Sequence, residues 1–368
     1  MELKVVKEVQ GIPQSDEHTV FSNPSFVNHE QVVFCYDERS GLKAIIAIHN
    51  TVLGPALGGT RFWNYKSEAE ALKDVLRLSR GMTFKAAISG LNLGGGKAVI
   101  FGDSRTDKSE PLFRRYGQFV DSLGGKYLTA EDVGTNVNDM VTVRKETRHV
   151  YGLPETMGGG GDPSPVTAYG VYMGMKAAAK QKWGSDSLSG KTIAVQGVGH
   201  VGEFLVEFLA KENAKVYISD VHEEQLKHVA QRFGSTIVSL DAIYDVDMDI
   251  YAPCALGGTV NTESLNRLKC SIIAGSANNQ LANELDHGKM VMDKGIIYAP
   301  DFLINAGGLI NVYSELHGYN RDNAMKATQK IYDLTLEILK KSATDNIPTI
   351  IAAKGIAEKR IKDALNAK

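Results

Sequence analysis

At 368 residues, 43% hydrophobic and 23% charged, the chain has the make-up of a globular protein with room for two domains, because single cores stop growing at roughly 250 to 300 residues. A formal charge of −2 gives no electrostatic reason to expect nucleic acid or anionic lipid, which leaves a small molecule as the expected partner. Three cysteines, Cys35, Cys254 and Cys270, are odd in number and lack CxxC spacing, and the nine histidines show no HxxxH or clustered pattern, so neither a disulfide framework nor a metal site is expected.

The start, Met1-Glu2-Leu3-Lys4, leads into charged sequence, and no apolar run approaches the roughly 18 to 20 residues that span a bilayer; a cytoplasmic chain without membrane contact is expected. Apolar runs at Gln31 to Cys35 and Leu42 to His49 predict strands. From Ser67 a helical period places Leu72, Val75, Leu76 and Ser79 on one face. Next comes Leu91-Asn92-Leu93-Gly94-Gly95-Gly96-Lys97, then a strand from Ala98 to Phe101. Three glycines bare the backbone beside Lys97, which would admit a ligand, and Lys85 lies twelve positions earlier. Two ammonium groups shielded from water lower each other's proton affinity, which suits acid-base chemistry. A phosphate-binding P-loop would need glycine at Leu91 and a hydroxyl at Ala98, so that motif is excluded, while a plain turn between helix and strand stays open. A helix from about Glu110 to Ser122 and a short run Lys126 to Thr129, leading to Glu131-Asp132, continue the α/β alternation.

Between Gly152 and Pro165 the composition turns to glycine and proline, with Gly158 to Gly161 in a row, predicting a hinge and a domain boundary near 150. After a helix from about Val166 to Lys182, the strand Thr192 to Gln196 runs directly into Gly197-Val198-Gly199-His200-Val201-Gly202 and an apolar helix bearing Phe204, Leu205, Phe208 and Leu209. The next strand, Val216 to Ser219, ends in Asp220. A GxGxxG between strand and helix, with an acid closing the following strand, is a dinucleotide fingerprint: the glycines turn tightly and approach a pyrophosphate, the helix start offers amides, and the carboxylate accepts ribose hydroxyls. A chance glycine turn would not bring that whole context. Strands at about Ile250 to Ala252, Ser271 to Ala274 and Ile296 to Tyr298 fit a doubly wound parallel sheet, with Pro253-Cys254-Ala255, Ser276-Ala277-Asn278-Asn279 and Asn305-Ala306-Gly307-Gly308 at carboxyl ends where ligands of such sheets sit. From about Asp322 two amphipathic helices are expected to reach Lys368.

Gly54-Pro55-Ala56-Leu57-Gly58-Gly59-Thr60-Arg61, Gly81-Met82-Thr83-Phe84-Lys85, Leu93 to Lys97 and Thr129-Ala130-Glu131-Asp132-Val133-Gly134 resemble the amino acid dehydrogenases acting on glutamate, leucine, phenylalanine and valine. The likeness covers nearly the whole chain, including Gly197 to Gly202 and Ser276 to Gln280, and is strongest to the branch acting on leucine. It implies a substrate-binding and oligomerisation domain at 1–150, a Rossmann NAD-binding domain at 151–334, and C-terminal helices, about 335–368, packed back on the first. The activity implied is reversible, NAD-dependent oxidative deamination of an amino acid to a 2-oxo acid and ammonia. By position, Lys85 resembles the residue that pairs with the substrate carboxylate, Lys97 the lysine of lowered pKa that activates water, and Asp132 the acid-base carboxylate; for Asp132 alone, a cap or solvated loop would serve as well. Gly58, Gly59 and Asn278 carry over as substrate contacts. Gly197, Gly199, His200, Val201, Gly202, Asp220, Val221, Thr167 and Asn278 carry over as cofactor contacts, though a threonine early in a helix also suits capping.

Leu57 stands where the glutamate branch carries a lysine, so the pocket that the resemblance assigns to Leu57, Ala130, Leu309 and Val312 favours the side chains of leucine, isoleucine and valine, at about 0.8 kcal/mol per buried methylene. An aromatic substrate is the alternative, since a methylene of difference discriminates by only about 1 to 3 kcal/mol. Without the family, all four fit an ordinary core equally well. Asp220 would repel the extra phosphate of NADP, and Val221, His222 and Glu223 supply no cation, so NAD is expected. A dinucleotide-binding sensor without chemistry is the other alternative, opposed by Lys85, Lys97 and Asp132 occurring together. The resemblance further implies a homo-oligomer, an octamer built through the first domain and the C-terminal helices.

Overall fold

A computed structural model describes residues 19–367, and the Met1-Glu2-Leu3-Lys4 start lies outside the described residues. The first unit runs β1 (Gln31–Asp37), β2 (Leu42–Asn50), β3 (Ala56–Trp63), α1 (Glu68–Ile88), β4 (Gly94–Phe101), α2 (Glu110–Ser122), β5 (Tyr127–Glu131) and α3 (Val137–Arg144). Its sheet has the order β1-β2-β4-β3-β5, with β1, β2 and β4 antiparallel and β4, β3 and β5 parallel. Helix α1 starts where Ser67 accepts a hydrogen bond from the Glu70 amide and buries Leu72, Val75, Leu76 and Ser79, the predicted face. Side chains alternate along strands, so the face toward α1 carries Leu57, Gly59 and Arg61 from β3, Gly95, Lys97 and Val99 from β4, and Leu128, Ala130 and Asp132 at the end of β5. The opposite face, with Ala98, Ile100 and Tyr127, packs on α2 and α3.

The glycine run departs from expectation. Gly94 to Gly96 are not a turn, nor bare backbone open to a ligand; they are buried residues of β4. A Cβ on Gly95 would lie 2.1 Å from the Thr83 backbone nitrogen, and one on Gly96 would lie 2.6 Å from the Tyr127 ring. Both faces of the strand are pressed so closely that only glycine fits. Strand β3, which the sequence pattern does not predict, lies between β4 and β5 because Gly58 lets the Gly96 carbonyl approach where a Cβ would be 1.7 Å away.

The second unit contains α4 (Ser164–Trp183), β6 (Thr192–Gln196), α5 (His200–Lys211), β7 (Lys215–Ser219), α6 (Glu223–Phe233), β8 (Thr236–Ile237), β9 (Ile250–Pro253), α7 (Thr262–Arg267), β10 (Ile272–Ile273), α8 (Glu284–Asp293), β11 (Ile297–Tyr298), α9 (Asp301–Ile304) and α10 (Gly307–Glu315). Its sheet is parallel throughout, ordered β11-β10-β9-β6-β7-β8, so the winding reverses between β6 and β9 and opens a crevice at their carboxyl ends. The segment predicted as a hinge is packed: Gly159 lies under the Leu153 carbonyl, Gly160 against Asn311, and the Gly152 and Gly160 amides both donate to the Glu315 carboxylate at 3.0 and 2.9 Å.

Three helices, not the expected two, close the chain: α11 (Arg321–Gln329), α12 (Ile331–Asp345) and α13 (Thr349–Asn366). Lys330 ends α11 and begins α12 without a breaker, so the bend left no compositional mark. Helix α12 sets Ile331 and Thr335 against Gly170 and Gly174 of α4, and α13 returns to the first unit, where Arg360 donates to the Ala87 and Leu91 carbonyls at the end of α1. Cys35 and Cys270 are buried free thiols that burial pushes up to about 12, whereas Cys254 is only half-buried. Among the described residues no helix is long and apolar enough to cross a membrane.

Two glycines of the same motifs should respond oppositely to alanine. A Cβ on Gly81, in the exposed interior of α1, meets nothing within 4 Å, so Gly81→Ala should stabilise by about 0.5 to 1 kcal/mol. Gly95→Ala must push α1 from β4 and should cost more than about 3 kcal/mol. Denaturation midpoints of the two variants check both signs.

Candidate active site

Near the site the two units meet where the last turn of α1 reaches α9 and its capping residue Asn305. Lys97 sits in mid-β4, 5% exposed, with its Nζ 3.0 Å from Asp132 Oδ2. Strand β3 lies between these two residues, and Gly59 makes their contact possible: a Cβ there would stand 2.9 Å from the Asp132 Cβ, in the space the carboxylate uses to reach Lys97. Asp132 Oδ2 also accepts from Arg61 Nε at 3.1 Å, and Arg61 Nη1 donates to Asp74 Oδ2 at 2.8 Å. Burial alone would raise the Asp132 carboxyl, but Lys97 and Arg61 overcome it and hold the group below the usual carboxylate range.

Lys85 projects from the last turn of α1 across to the second unit, donating to Asn305 Oδ1 at 2.7 Å. Asn305 in turn donates to Asn278 Oδ1 at 2.7 Å and to the Ser276 carbonyl at 3.1 Å, which ties α1 and the carboxyl-end segments of the second sheet into one chain of bonds. Burial lowers Lys85 to about 8; Asp301 and Asp132 pull it upward and Lys97 downward, so the two amines and the distant acid do share one field. Lys85 is thus lowered by its surroundings, and Lys97 makes the direct ion pair with Asp132. Asp301 is buried, with its carboxylate accepting from the Gln280 and Phe302 amides and its pKa raised by burial.

Leu57, Leu309 and Val312 belong to one packed cluster with Leu128, and Ala130 is buried on the β5 face that ends in Asp132. Gly58 and Gly59 are strand residues whose missing side chains are explained by packing. Thr167, in the first turn of α4, bonds back to the Pro163 carbonyl at 3.0 Å and lies against Gly308 at the start of α10.

The dinucleotide fingerprint has the expected division of labour. Gly197 turns with φ +103° against Ala255; Gly199 has nothing within 4 Å of where a Cβ would stand; Gly202 would place a Cβ 2.1 Å from the Gly197 carbonyl. No side chain caps α5, so its first amides, from His200 and Val201 onward, are left for an anion. Asp220 braces this loop, accepting from the Val198 amide at 2.7 Å and the His222 amide at 2.9 Å, and Val221 beside it is exposed. This open approach at a helix start fits the pyrophosphate of a nicotinamide dinucleotide.

Arg61, Asp74 and Asn305 were not assigned roles from the sequence. Arg61 closes the Gly54 to Arg61 motif, and its place two residues beyond Gly59 would have put it on the Asp132 face had β3 been read as a strand.

The family model described as "Glu/Leu/Phe/Val dehydrogenase, dimerisation domain" matches residues 29–149, and "Glutamate/Leucine/Phenylalanine/Valine dehydrogenase" matches 158–223 and 217–368. A leucine dehydrogenase of Thermoactinomyces intermedius is 56% identical over 343 residues, 93% of each chain. A phenylalanine dehydrogenase of Lysinibacillus sphaericus is 51% identical over 91% of this chain and 89% of its own. The crystal structure of an L-tryptophan dehydrogenase from Nostoc punctiforme matches with TM-score 0.82 and 46% identity, over 92% of this chain and 97% of its own.

Proposed function

Because the chain belongs to the Glu/Leu/Phe/Val dehydrogenase family and is an amino acid dehydrogenase acting by oxidative deamination, we propose that its substrates are leucine, valine and isoleucine and its cofactor NAD. One observation carries the substrate class: the sheet face that presents Lys97 and Asp132 also presents Leu57 and Ala130, both buried and apolar, and Leu57 shares its apolar cluster with Leu309 of the second unit. An aliphatic side chain buried there gains free energy, while a second carboxylate would be desolvated without a partner. NAD is supported by Asp220 at the end of β7 and by the absence of a lysine or arginine in Val221 to Glu223.

In this reading Lys85 binds the substrate carboxylate, with the Asn305-Asn278 amides beside it. Gly58 and Gly59 present backbone to the substrate, and Thr167 and Asn278 face the nicotinamide. Asp132 exchanges a proton with the substrate nitrogen through Oδ1, since Oδ2 is engaged by Lys97 and Arg61. Lys97 activates the water that attacks the imine carbon. When bound, the nicotinamide supplies the acceptor for the hydride of the α-carbon. We divide the chain at about 150, with the helices from about 335 counted with the first domain on the strength of the Arg360 contacts. Self-association through the first domain is supported by the description of its matching family model and by the edge strand β1, whose Phe34 and Tyr36 are exposed; we propose an octamer, and a cytoplasmic location in keeping with three free thiols.

A screen of amino acids with NAD and with NADP should show NADH formation fastest with the branched aliphatic set; faster turnover of phenylalanine or tryptophan would overturn the substrate assignment. Lys97→Ala should lower kcat by about 10² to 10⁴ while the unfolding midpoint shows a folded protein. Lys85 carries its charge below about pH 8 and loses it above. Inhibition by 4-methylpentanoate, a substrate-like carboxylate without the amine, should therefore weaken by about tenfold per pH unit above that point, and Lys85→Met should abolish this dependence.

A further inference from the structure

We propose that Arg61 is the positioning residue for Asp132, a guanidinium strut between β3 and α1 that fixes the carboxylate by Oδ2 and leaves Oδ1 for the substrate nitrogen. The inference rests on the reading of Asp132 as the group that exchanges protons with substrate. Asp132 follows the last residue of β5, and its backbone amide is taken by Thr135 Oγ1, so the strand ladder itself does nothing to aim its side chain. What aims it comes from the neighbouring elements.

Arg61 is held at both ends. Nε meets Asp132 at 3.1 Å while Nη1 meets Asp74 of α1 at 2.8 Å, and the Tyr65 hydroxyl donates to the same Asp74 oxygen at 2.7 Å. A guanidinium is planar, so fixing Nη1 on α1 fixes the direction in which Nε points; a lysine ammonium could satisfy one carboxylate but could not hold both in a set orientation. The strut thereby refers the position of Asp132 to α1, the helix that also carries Lys85.

Its charge matters as much as its shape. The ionisable groups facing Asp132 are Lys97 from β4, Arg61 from β3, Lys85 from α1, and Glu131 and Tyr127 from β5. Lys97 must trade protons with water in the reaction, and Lys85 titrates near 8, whereas a guanidinium keeps its charge at every working pH. Arg61 is thus the cation that stays beside Asp132 throughout turnover. With Arg61 removed, burial and Glu131 oppose ionisation with one cation fewer to offset them.

Kinetics of the full-length enzyme with leucine and NAD, as pH profiles of kcat and kcat/KM, test this on Arg61→Met, Arg61→Lys, Asp74→Asn and Asp132→Asn. Arg61→Met should lower kcat by about 10- to 100-fold with KM changed far less, and should move the acid limb of kcat/KM upward by about one pH unit. Arg61→Lys should restore the limb but not kcat, because it returns the charge without the two-ended geometry. Asp74→Asn should lower kcat while leaving the limb near its original place; should Arg61→Met not fold, this variant and Arg61→Lys decide. Wild-type kcat in both Arg61→Lys and Asp74→Asn would overturn the proposal, as would an unmoved acid limb in a folded Arg61→Met. If Asp132→Asn kept full turnover, the proton-exchange reading would fall, and the inference with it; loss of turnover in Asp132→Asn beside unaffected Arg61 variants would sink the inference alone.

Discussion

Helix α1 rests on strand β4 with no room for a side chain at Gly95, whose neighbours across the gap are the Thr83 amide and the Ser79 carbonyl. That contact sets the geometry of the site, because Lys85 lies two residues beyond Thr83 and Lys97 two beyond Gly95. An alanine-sized spacer would lift the helix, and with it Lys85, from the sheet that carries Lys97 and Asp132. On the adjacent strand Gly59 acts in the same way, leaving the space through which Asp132 crosses to Lys97. Glycines that look like an invitation to a ligand are here the means by which two cations and an acid are brought together in a packed interior.

Bringing them together carries an electrostatic cost that the surrounding residues offset. Each cation has a carboxylate in reach: Lys97 with Asp132, Arg61 with Asp74 and Asp132, Lys85 with the field of Asp301. A buried charge stripped of its partner would cost several kcal/mol, so the pairing is a condition for the fold as well as for the chemistry. It also bears on selectivity. In the pocket we propose, a second substrate carboxylate would meet Leu57 and Ala130, both buried and apolar, instead of a counter-charge.

The second sheet was legible because its signals are local. Strand β6, the glycine turn and α5 occur in one unbroken stretch, and Asp220 marks the end of the next strand, so pattern and chemistry coincide. The first sheet was harder to read. Strand β3 has Gly58 and Gly59 at its centre and shows no alternation of side chains; it is a strand because β4 and β5 flank it, a fact distributed over about seventy residues. The same holds for Gly94 to Gly96, where the absent side chains record contacts with Asn50, Thr83 and Tyr127 that no window of sequence contains. Lys85 and Lys97 stood out through the glycine run and their spacing, while Asp132 and the division of roles among the three were reached through motif resemblance. Arg61, Asp74 and Asn305 became visible only when their partners, 13 to 220 positions away, were in place.

Glu315 takes the amides of Gly152 and Gly160 in its two carboxylate oxygens, fastening the connecting segment to α10. Leu309 and Val312 ride on that same helix, whereas Leu57 and Ala130 belong to the other sheet. The four residues of the proposed side-chain pocket are consequently drawn from both units, two from each, so its shape depends on the partnership of the two folds rather than on either one.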